Sequence, residues 1–368
     1  MFDADRAKRA RKKMAVSAKN LPSPNLNRHH MYEIDVCRIM GALGIMLYHY
    51  TYRTTTVNGF EGPMFPIIEH VTKYGFLGVN LFFMISGFVI LFSAHDKSSL
   101  LFAVSRIDRL FPVYWISVTL TFIMARITHQ GHTLFEYLMN LTMVNDYFNV
   151  RNLDSVYWSL QAELKFYVFI YLLILTRQIQ RHDIWIPAWL GATICHLLWG
   201  QPFFMGWFIN PSYSSYFIAG IVFCLIYRDG INFRNIALVL LSYAVSIAHC
   251  LRQVDNFLYS PSLYDKYTAS IIVSLIFLAF YLISTKNILI RKSVYLVKFG
   301  AMTYPLFLLH GNIGKSLYDE FSIHINRYIA LILVLFLVIG LSFSVYCFSE
   351  KKLAGSIKKL FFRLVSVA

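Results

Sequence analysis

The stretch Glu33-Ile-Asp35-Val-Cys-Arg38-Ile-Met-Gly-Ala-Leu-Gly-Ile-Met-Leu-Tyr48-His49-Tyr50 decides the class of this chain. It reads as a mostly apolar helix that carries an acid, an arginine and a histidine. Arg38 and His49 are eleven residues apart, so at ~100° per residue they return to within ~20° of one face and stand ~16 Å apart along the axis. Ionisable groups at membrane depth are costly and point into a bundle or a wet cavity. The stretch therefore predicts a polar pathway from Arg38 to His49, walled by the other helices.

Composition agrees. Of 368 residues, 57% are hydrophobic and only 14% charged, with a mean hydropathy of +0.53. A soluble domain cannot hide that much apolar surface, so the expected fold is an all-α polytopic integral membrane bundle. The formal charge of +15 would suggest nucleic acid in a soluble chain. Here the Lys and Arg residues fall in short clusters between apolar runs, the positive-inside pattern, which reports orientation first, and no nucleic-acid partner is expected. The five cysteines, Cys37, Cys195, Cys224, Cys250 and Cys347, are scattered singly within apolar stretches. Neither a disulfide framework nor a metal site is expected from that spacing.

A span needs ~20 apolar residues. Ten segments qualify, near 34–52, 75–94, 110–128, 156–176, 184–200, 213–227, 236–251, 267–284, 298–316 and 327–348. The basic connections alternate with connections poorer in Lys and Arg, which places both termini in the cytoplasm. Three parts result: a basic N-terminal tail over 1–31, a membrane domain over 32–349 and a basic C-terminal segment over 350–368. The tail has no apolar h-region and is not expected to be a cleaved signal. It is either a disordered topology anchor or a contact for anionic lipid. The C-terminal segment reads as a basic amphipathic helix on the inner leaflet or as a plain solvated tail.

Depth arithmetic locates a candidate site. With the first span leaving the cytoplasmic face near Ile34, Arg38 lies ~6 Å in and His49 ~22 Å in, and the same count puts Glu163 at ~18 Å and His310 at ~16 Å. His49, Glu163 and His310 are thus expected at one level. Arg38 sits near the cytoplasmic mouth, with Arg106 and Arg109 flanking the start of the third span. Guanidinium forks there suit the phosphates of a cytosolic ligand, although inside-positive anchoring would place Arg106 and Arg109 equally well. Imidazole with an ordinary pKa near ~6.5 can take a proton from a hydroxyl at neutral pH, helped by a nearby carboxylate. His310, between Pro305 and Gly311, fits that site or a hydrogen-bonded packing role. Asp35 and Arg38 can pair as i, i+3, whereas Glu163 and Lys165 do not face each other. Ser86-Gly87 reads as a close-packing or substrate-lining position. No phosphate-cradling glycine loop, His-Glu-x-x-His or nucleophile-elbow serine is present.

Five motifs in order resemble the membrane acyltransferase 3 family, which includes bacterial O-acetyltransferases of surface polysaccharides. They are Ile34-Asp35-Val-Cys-Arg38 with His49; Gly78-Val-Asn-Leu-Phe-Phe-Met-Ile-Ser86-Gly87-Phe88; Arg106-Ile-Asp-Arg109-Leu-Phe-Pro112-Val-Tyr114-Trp115; Trp158-Ser-Leu-Gln-Ala-Glu163-Leu-Lys-Phe-Tyr167; and Thr303-Tyr304-Pro-Leu-Phe-Leu-Leu-His310. The resemblance implies a ten-helix domain that moves an acyl group, usually acetyl from cytosolic acetyl-CoA, to a hydroxyl of an extracytoplasmic glycan. That glycan would be O-antigen of lipopolysaccharide, capsule, exopolysaccharide or a lipid-linked precursor, and the location the bacterial inner membrane. His49 and Arg38 would be the central catalytic pair, supported by Glu163. His310, Arg106, Arg109, Tyr114, Ser86 and Asp35 would line the substrates, the two later arginines near the CoA phosphates. Acetyl-CoA is the expected donor substrate, with no permanently bound cofactor. Leu164-Lys165 stands where many relatives carry an acid and a glutamine, so those positions receive no role. Because the chain ends soon after the tenth span, it is expected to act alone on its acceptor or to hand the acyl group to a separate extracytoplasmic partner. A transporter of a glycan intermediate or acyl donor is the rival reading, since intramembrane Arg, His and Glu equally suit a transport path. A non-catalytic scaffold for polysaccharide assembly is the third.

Overall fold

The computed structural model describes residues 30–53, 65–94, 97–200, 206, 208–255, 264–353, 355 and 359. The tail over 1–29 and most of the segment after 353 lie outside them, and so do the expectations about those segments. Among the described residues the chain is helical, without strands. The helices are α1 (Tyr32–Tyr48), α2 (Gly78–Ala94), α3 (Ser99–Ile127), α4 (Leu134–Asn140), α5 (Trp158–Leu175), α6 (His182–Trp199), α7 (Pro211–Asp229), α8 (Phe233–Asp255), α9 (Lys266–Ser284), α10 (Val294–Leu309), α11 (Asn312–His324) and α12 (Arg327–Lys352). A helix stands at each of the ten expected segments. Six of the described helices, over Glu69–Ala94, Ser99–Ile127, Ser155–Leu175, Phe233–Asp255, Lys266–Ser284 and Arg327–Glu350, have the length and apolarity to cross a membrane. The protein is a multi-pass membrane protein.

The bundle is built around α7, whose residues from Ser214 to Ile226 are buried without interruption. Burial on every side explains why this helix tolerates two consecutive serines that lipid would reject. It packs along α2, and two glycines set how close: a Cβ on Gly87 would overlap the Phe217 carbonyl, and one on Gly220 would overlap the Met84 carbonyl. Small residues at a crossing let the two backbones meet directly. α1 packs between α2 and α10, and α12 covers α10 and α11.

Two expected boundaries are corrected. α3 begins at Ser99, where the Ser98 side chain accepts the Leu101 N–H at 3.3 Å, well before residue 110. Arg106 and Arg109 are therefore inside the helix rather than beside its start. The segment expected over 298–316 is two helices, broken at His310–Gly311. The buried Asp154 carboxylate takes the Asn312 N–H at 2.6 Å, and the Asn312 amide donates to the Leu153 carbonyl. A Cβ on Gly311 would collide with that carboxylate. An acid driven in from the loop before α5 thus meets the helix at its end.

Between α3 and α5 the loop folds on itself around α4. Thr133 caps α4 in a reciprocal box with Glu136. Arg151 donates from Nε to Glu136 at 2.5 Å. Buried Asn140 satisfies the Arg151 and Leu153 backbone, and Asn145 receives the Gln161 amide at 3.1 Å.

Candidate functional site

α1 places its polar residues at two levels. At the first, Asp35 is buried and accepts hydrogen bonds from Arg38 Nη1, at 2.9 Å, and from His30 Nε2. Gly300 of α10 makes room for this carboxylate: a Cβ there would stand 2.6 Å from its Oδ1. The Arg38 side chain keeps 19% of its surface exposed, and that surface faces a cavity of about 360 Å³.

The cavity wall contains Asp35, Arg38, Ser86, Arg109, Glu163 and Tyr167, with Tyr304 on α10. It reaches His30 and Glu350, so it opens where α1 begins and α12 ends. On its far side the Glu163 carboxylate accepts from Ser86 Oγ at 2.7 Å and from the Tyr167 hydroxyl, both on Oε1. Two donors on one oxygen fix the carboxylate in place, and three helices, α1, α2 and α5, converge on the same volume. Arg106 is buried behind this wall, its guanidinium 5.5 Å from the Phe102 and Tyr167 ring centres. Its Nε and Nη1 find no hydrogen-bond partner among the described residues.

The second level carries His49. It opens a π-helical segment, His49–Arg53, that continues α1, a distortion frequent at functional sites. The His49 ring meets the His310 ring edge-on, centres 5.0 Å apart. His310 is buried, and its Nδ1 donates to the Phe307 carbonyl at 2.8 Å.

His49 and His310 lie outside the cavity wall, so the continuous pathway expected between Arg38 and His49 is interrupted. Phe82 and Phe307 line the cavity, their rings 5.9 Å apart, and Phe307 lies 5.5 Å from His310. The expected common level of His49, Glu163 and His310 is also corrected. Asp154 is tied to Asn312 at the α10 break, and Glu163, nine residues on, stands ~13 Å deeper along α5. A count that starts this span at the membrane surface overlooks that Asp154 is drawn into the bundle. Glu163 therefore joins Arg38 rather than the imidazoles.

Of the nine residues expected from sequence, Arg38, Asp35, Ser86, Arg109 and Glu163 share the cavity, His49 and His310 form the pair beyond it, and Arg106 backs the wall. Tyr114 is elsewhere: fully buried, it donates to the Asn140 carbonyl at 2.7 Å and packs edge-on against Tyr157. Its hydroxyl is used up in seating α4. Sequence reasoning passed over Tyr167 and His30. Tyr167 is i+4 from Glu163, a spacing that puts it on the same face. His30 fell within the segment read as tail.

The family model described as an acyltransferase domain, acyltransferase 3, matches residues 31–347. The chain belongs to this family, and it is an acyltransferase. Among its relatives is a putative acetyltransferase, ORF330, of Acidianus two-tailed virus, 22% identical over 249 residues, covering 65% of this chain and 73% of the relative. Another is the acyltransferase MdmB of Streptomyces mycarofaciens, 25% identical over 278 residues, covering 66% and 68%. No solved structure matches the chain.

Proposed function

We propose that the protein is an O-acetyltransferase of the bacterial inner membrane that carries acetyl from cytosolic acetyl-CoA to a sugar hydroxyl of an extracytoplasmic polysaccharide or its lipid-linked precursor. In this reading the bundle spans ten times, both termini are cytoplasmic, and the cavity mouth beside His30 faces the cytosol. The observation that carries it is that a single helix holds Arg38 in the wall of a polar cavity and His49 against a second imidazole ~16 Å further along.

The cavity, at about 360 Å³, is at the small end of ligand sites, which run from roughly 300 Å³ upward. Such a volume suits the slender acyl-thioester arm and leaves the nucleotide at the mouth beside His30. Arg38, clamped by Asp35, presents a fixed guanidinium that positions the donor. Arg109 and Glu163 hold the rest of the arm. Phe82 and Phe307 turn aside so that the thioester carbonyl at the tip of the arm reaches His49, which takes the proton of the acceptor hydroxyl as its oxygen attacks that carbonyl, the C–S bond breaks, and the CoA thiolate leaves and is protonated.

The test uses purified protein in liposomes with labelled acetyl-CoA inside and extracted surface glycan outside. Labelled glycan together with free CoA is expected, and His49→Ala abolishes both while the protein stays inserted and monodisperse. Wild-type transfer by that variant overturns the role of His49. Export of intact substrate without CoA release overturns the enzyme in favour of a transporter.

A further inference from the structure

The cavity changes character along its length. Gly300 of α10 lies against Asp35, and seven residues on, ~10 Å along the helix, Phe307 meets Phe82 of α2. α2 runs the other way along α1, Phe82 beside Gly41 and Gly78 beside Ile45. Ser86, bound to Glu163, is therefore one turn nearer the mouth than Phe82. α3 and α5 close in at the depth of Phe307: the Tyr157 ring packs on Tyr114, and its hydroxyl donates to the Leu308 carbonyl at 3.5 Å. Val113 lies between Arg109 and Tyr114 on α3, and Leu160 between Tyr157 and Glu163 on α5. Arg38, Ser86, Arg109 and Glu163 thus stand at the waist of the cavity, and its inner end is walled by Val79, Phe82, Val113, Leu160 and Phe307.

Those five side chains carry no polar atom, and hydroxyls near them are spent elsewhere. Ser159 donates to the Val156 carbonyl at 3.0 Å, Thr303 to the Gly300 carbonyl at 2.6 Å, and Tyr304 to the Leu110 carbonyl at 3.2 Å. Water needs two or more polar partners to settle in such a place, whereas hydrocarbon needs none. Val113 and Leu160 are buried in one apolar cluster with Ile45 and Tyr157, so they form a firm wall.

We infer that the inner end holds the hydrocarbon of the acyl group and that Val113 and Leu160 set its length. The inference rests on the reading that this cavity takes the acyl-thioester arm of CoA. With the arm held at the waist, the acyl chain points toward Phe82 and Phe307, and each further carbon must fit against Val113 and Leu160. Choice of donor is then a matter of apolar volume, in which each methylene newly buried strengthens binding about fourfold.

The probes are ethyl-CoA and butyl-CoA, stable thioethers that differ by two methylenes, and the measurement is their affinity for the full-length protein in detergent. Leu160→Ala opens room for both methylenes and shifts the ratio of affinities toward butyl-CoA by about tenfold. Val113→Ala shifts it severalfold in the same direction, and Val113→Leu shifts it the other way. Val89→Ala, in the cavity wall on the mouth side of Ser86, changes both affinities alike. An unchanged ratio in Leu160→Ala and Val113→Ala, or an equal shift in Val89→Ala, overturns the inference while the donor site stands. Failure of the wild type to bind either thioether refutes the donor site itself, and the inference with it. Should Leu160→Ala not fold, the two Val113 variants change less volume and decide by moving the ratio in opposite directions or leaving it in place.

Discussion

Gly300→Ala puts one methyl group against the carboxylate that holds Arg38. Its Cβ would lie 2.6 Å from Asp35 Oδ1 and Cγ and 2.7 Å from Asp35 Cβ, short of ordinary contact by roughly 0.8 Å or more. Asp35 has little room to retreat, being held by Arg38 on one oxygen and His30 on the other. Either the carboxylate swings away and releases Arg38, or α10 moves off α1. Overpacking of this kind costs about 1–3 kcal/mol, against a helix-propensity gain for Ala of about 1 kcal/mol or less. Because every ~1.4 kcal/mol is a factor of ten, a disturbance of that size passed to the guanidinium lowers kcat/KM for acetyl-CoA by about tenfold. Gly191→Ala is the control. It also sits inside a helix, but nothing lies within 4 Å of the point its new methyl group would occupy, so it should be neutral or stabilising by at most about 1 kcal/mol. Thermal unfolding in detergent and initial rates of CoA release from both variants provide the readout. If Gly300→Ala matches Gly191→Ala in both, the packing of Asp35 is not what positions Arg38, and the reasoning fails.

Two further expectations follow. Ser86→Ala and Tyr167→Phe each remove one donor from the Glu163 carboxylate, and a hydrogen bond to a charged group is worth about 1.5–3 kcal/mol. Each should therefore cost roughly tenfold or more in kcat/KM for acetyl-CoA, and the double variant should fall short of the product of the two, because both act on one oxygen. Unchanged kinetics in both would remove Glu163 from the site. In the loop between α3 and α5, the hydrogen bond from Arg151 lowers the Glu136 carboxyl from its ordinary 4.5 to about 2. A depressed acid stabilises the fold fully above its unfolded value and loses that contribution as pH falls. Hydrogen-exchange protection across residues 131–151, corrected for the intrinsic pH dependence of amide exchange, should therefore fall between about pH 4.5 and pH 2, and Glu136→Gln should abolish that fall. Protection that does not change across this window would show that the ion pair does not hold the loop.

The helices were legible because lipid imposes a simple rule. A run of apolar residues long enough to cross must be helical, and the expected segments fall on helices, the one over 298–316 on two. The cavity was legible in part: Asp35, Arg38 and Ser86 lie on helices whose direction follows from counting residues. Glu163 was misplaced because its depth depends on where Asp154 is anchored, a long-range contact with Asn312 across 158 residues. The break at His310 was hidden for the same reason. Pro305 and Gly311 both stand in the sequence, but only the intruding carboxylate makes the glycine decisive. Tyr114 was misread because a tyrosine in a motif does not say which way its hydroxyl points, and here α4 claims it. The aromatic pair Phe82 and Phe307 carried no signal in a chain with 32 phenylalanines.

That pair has a consequence for the cell. An enzyme that reaches across a bilayer with arginine, glutamate and histidine side chains risks becoming a wire for protons, and every leaked ion drains the gradient that drives the cell's transport and ATP synthesis. The paired rings of Phe82 and Phe307 in the cavity wall, the second of them against His310, break such a wire. An uncharged acyl-thioester tip can slip past them when they swing, while a file of water molecules would have to bear the full cost of leaving its hydrogen bonds.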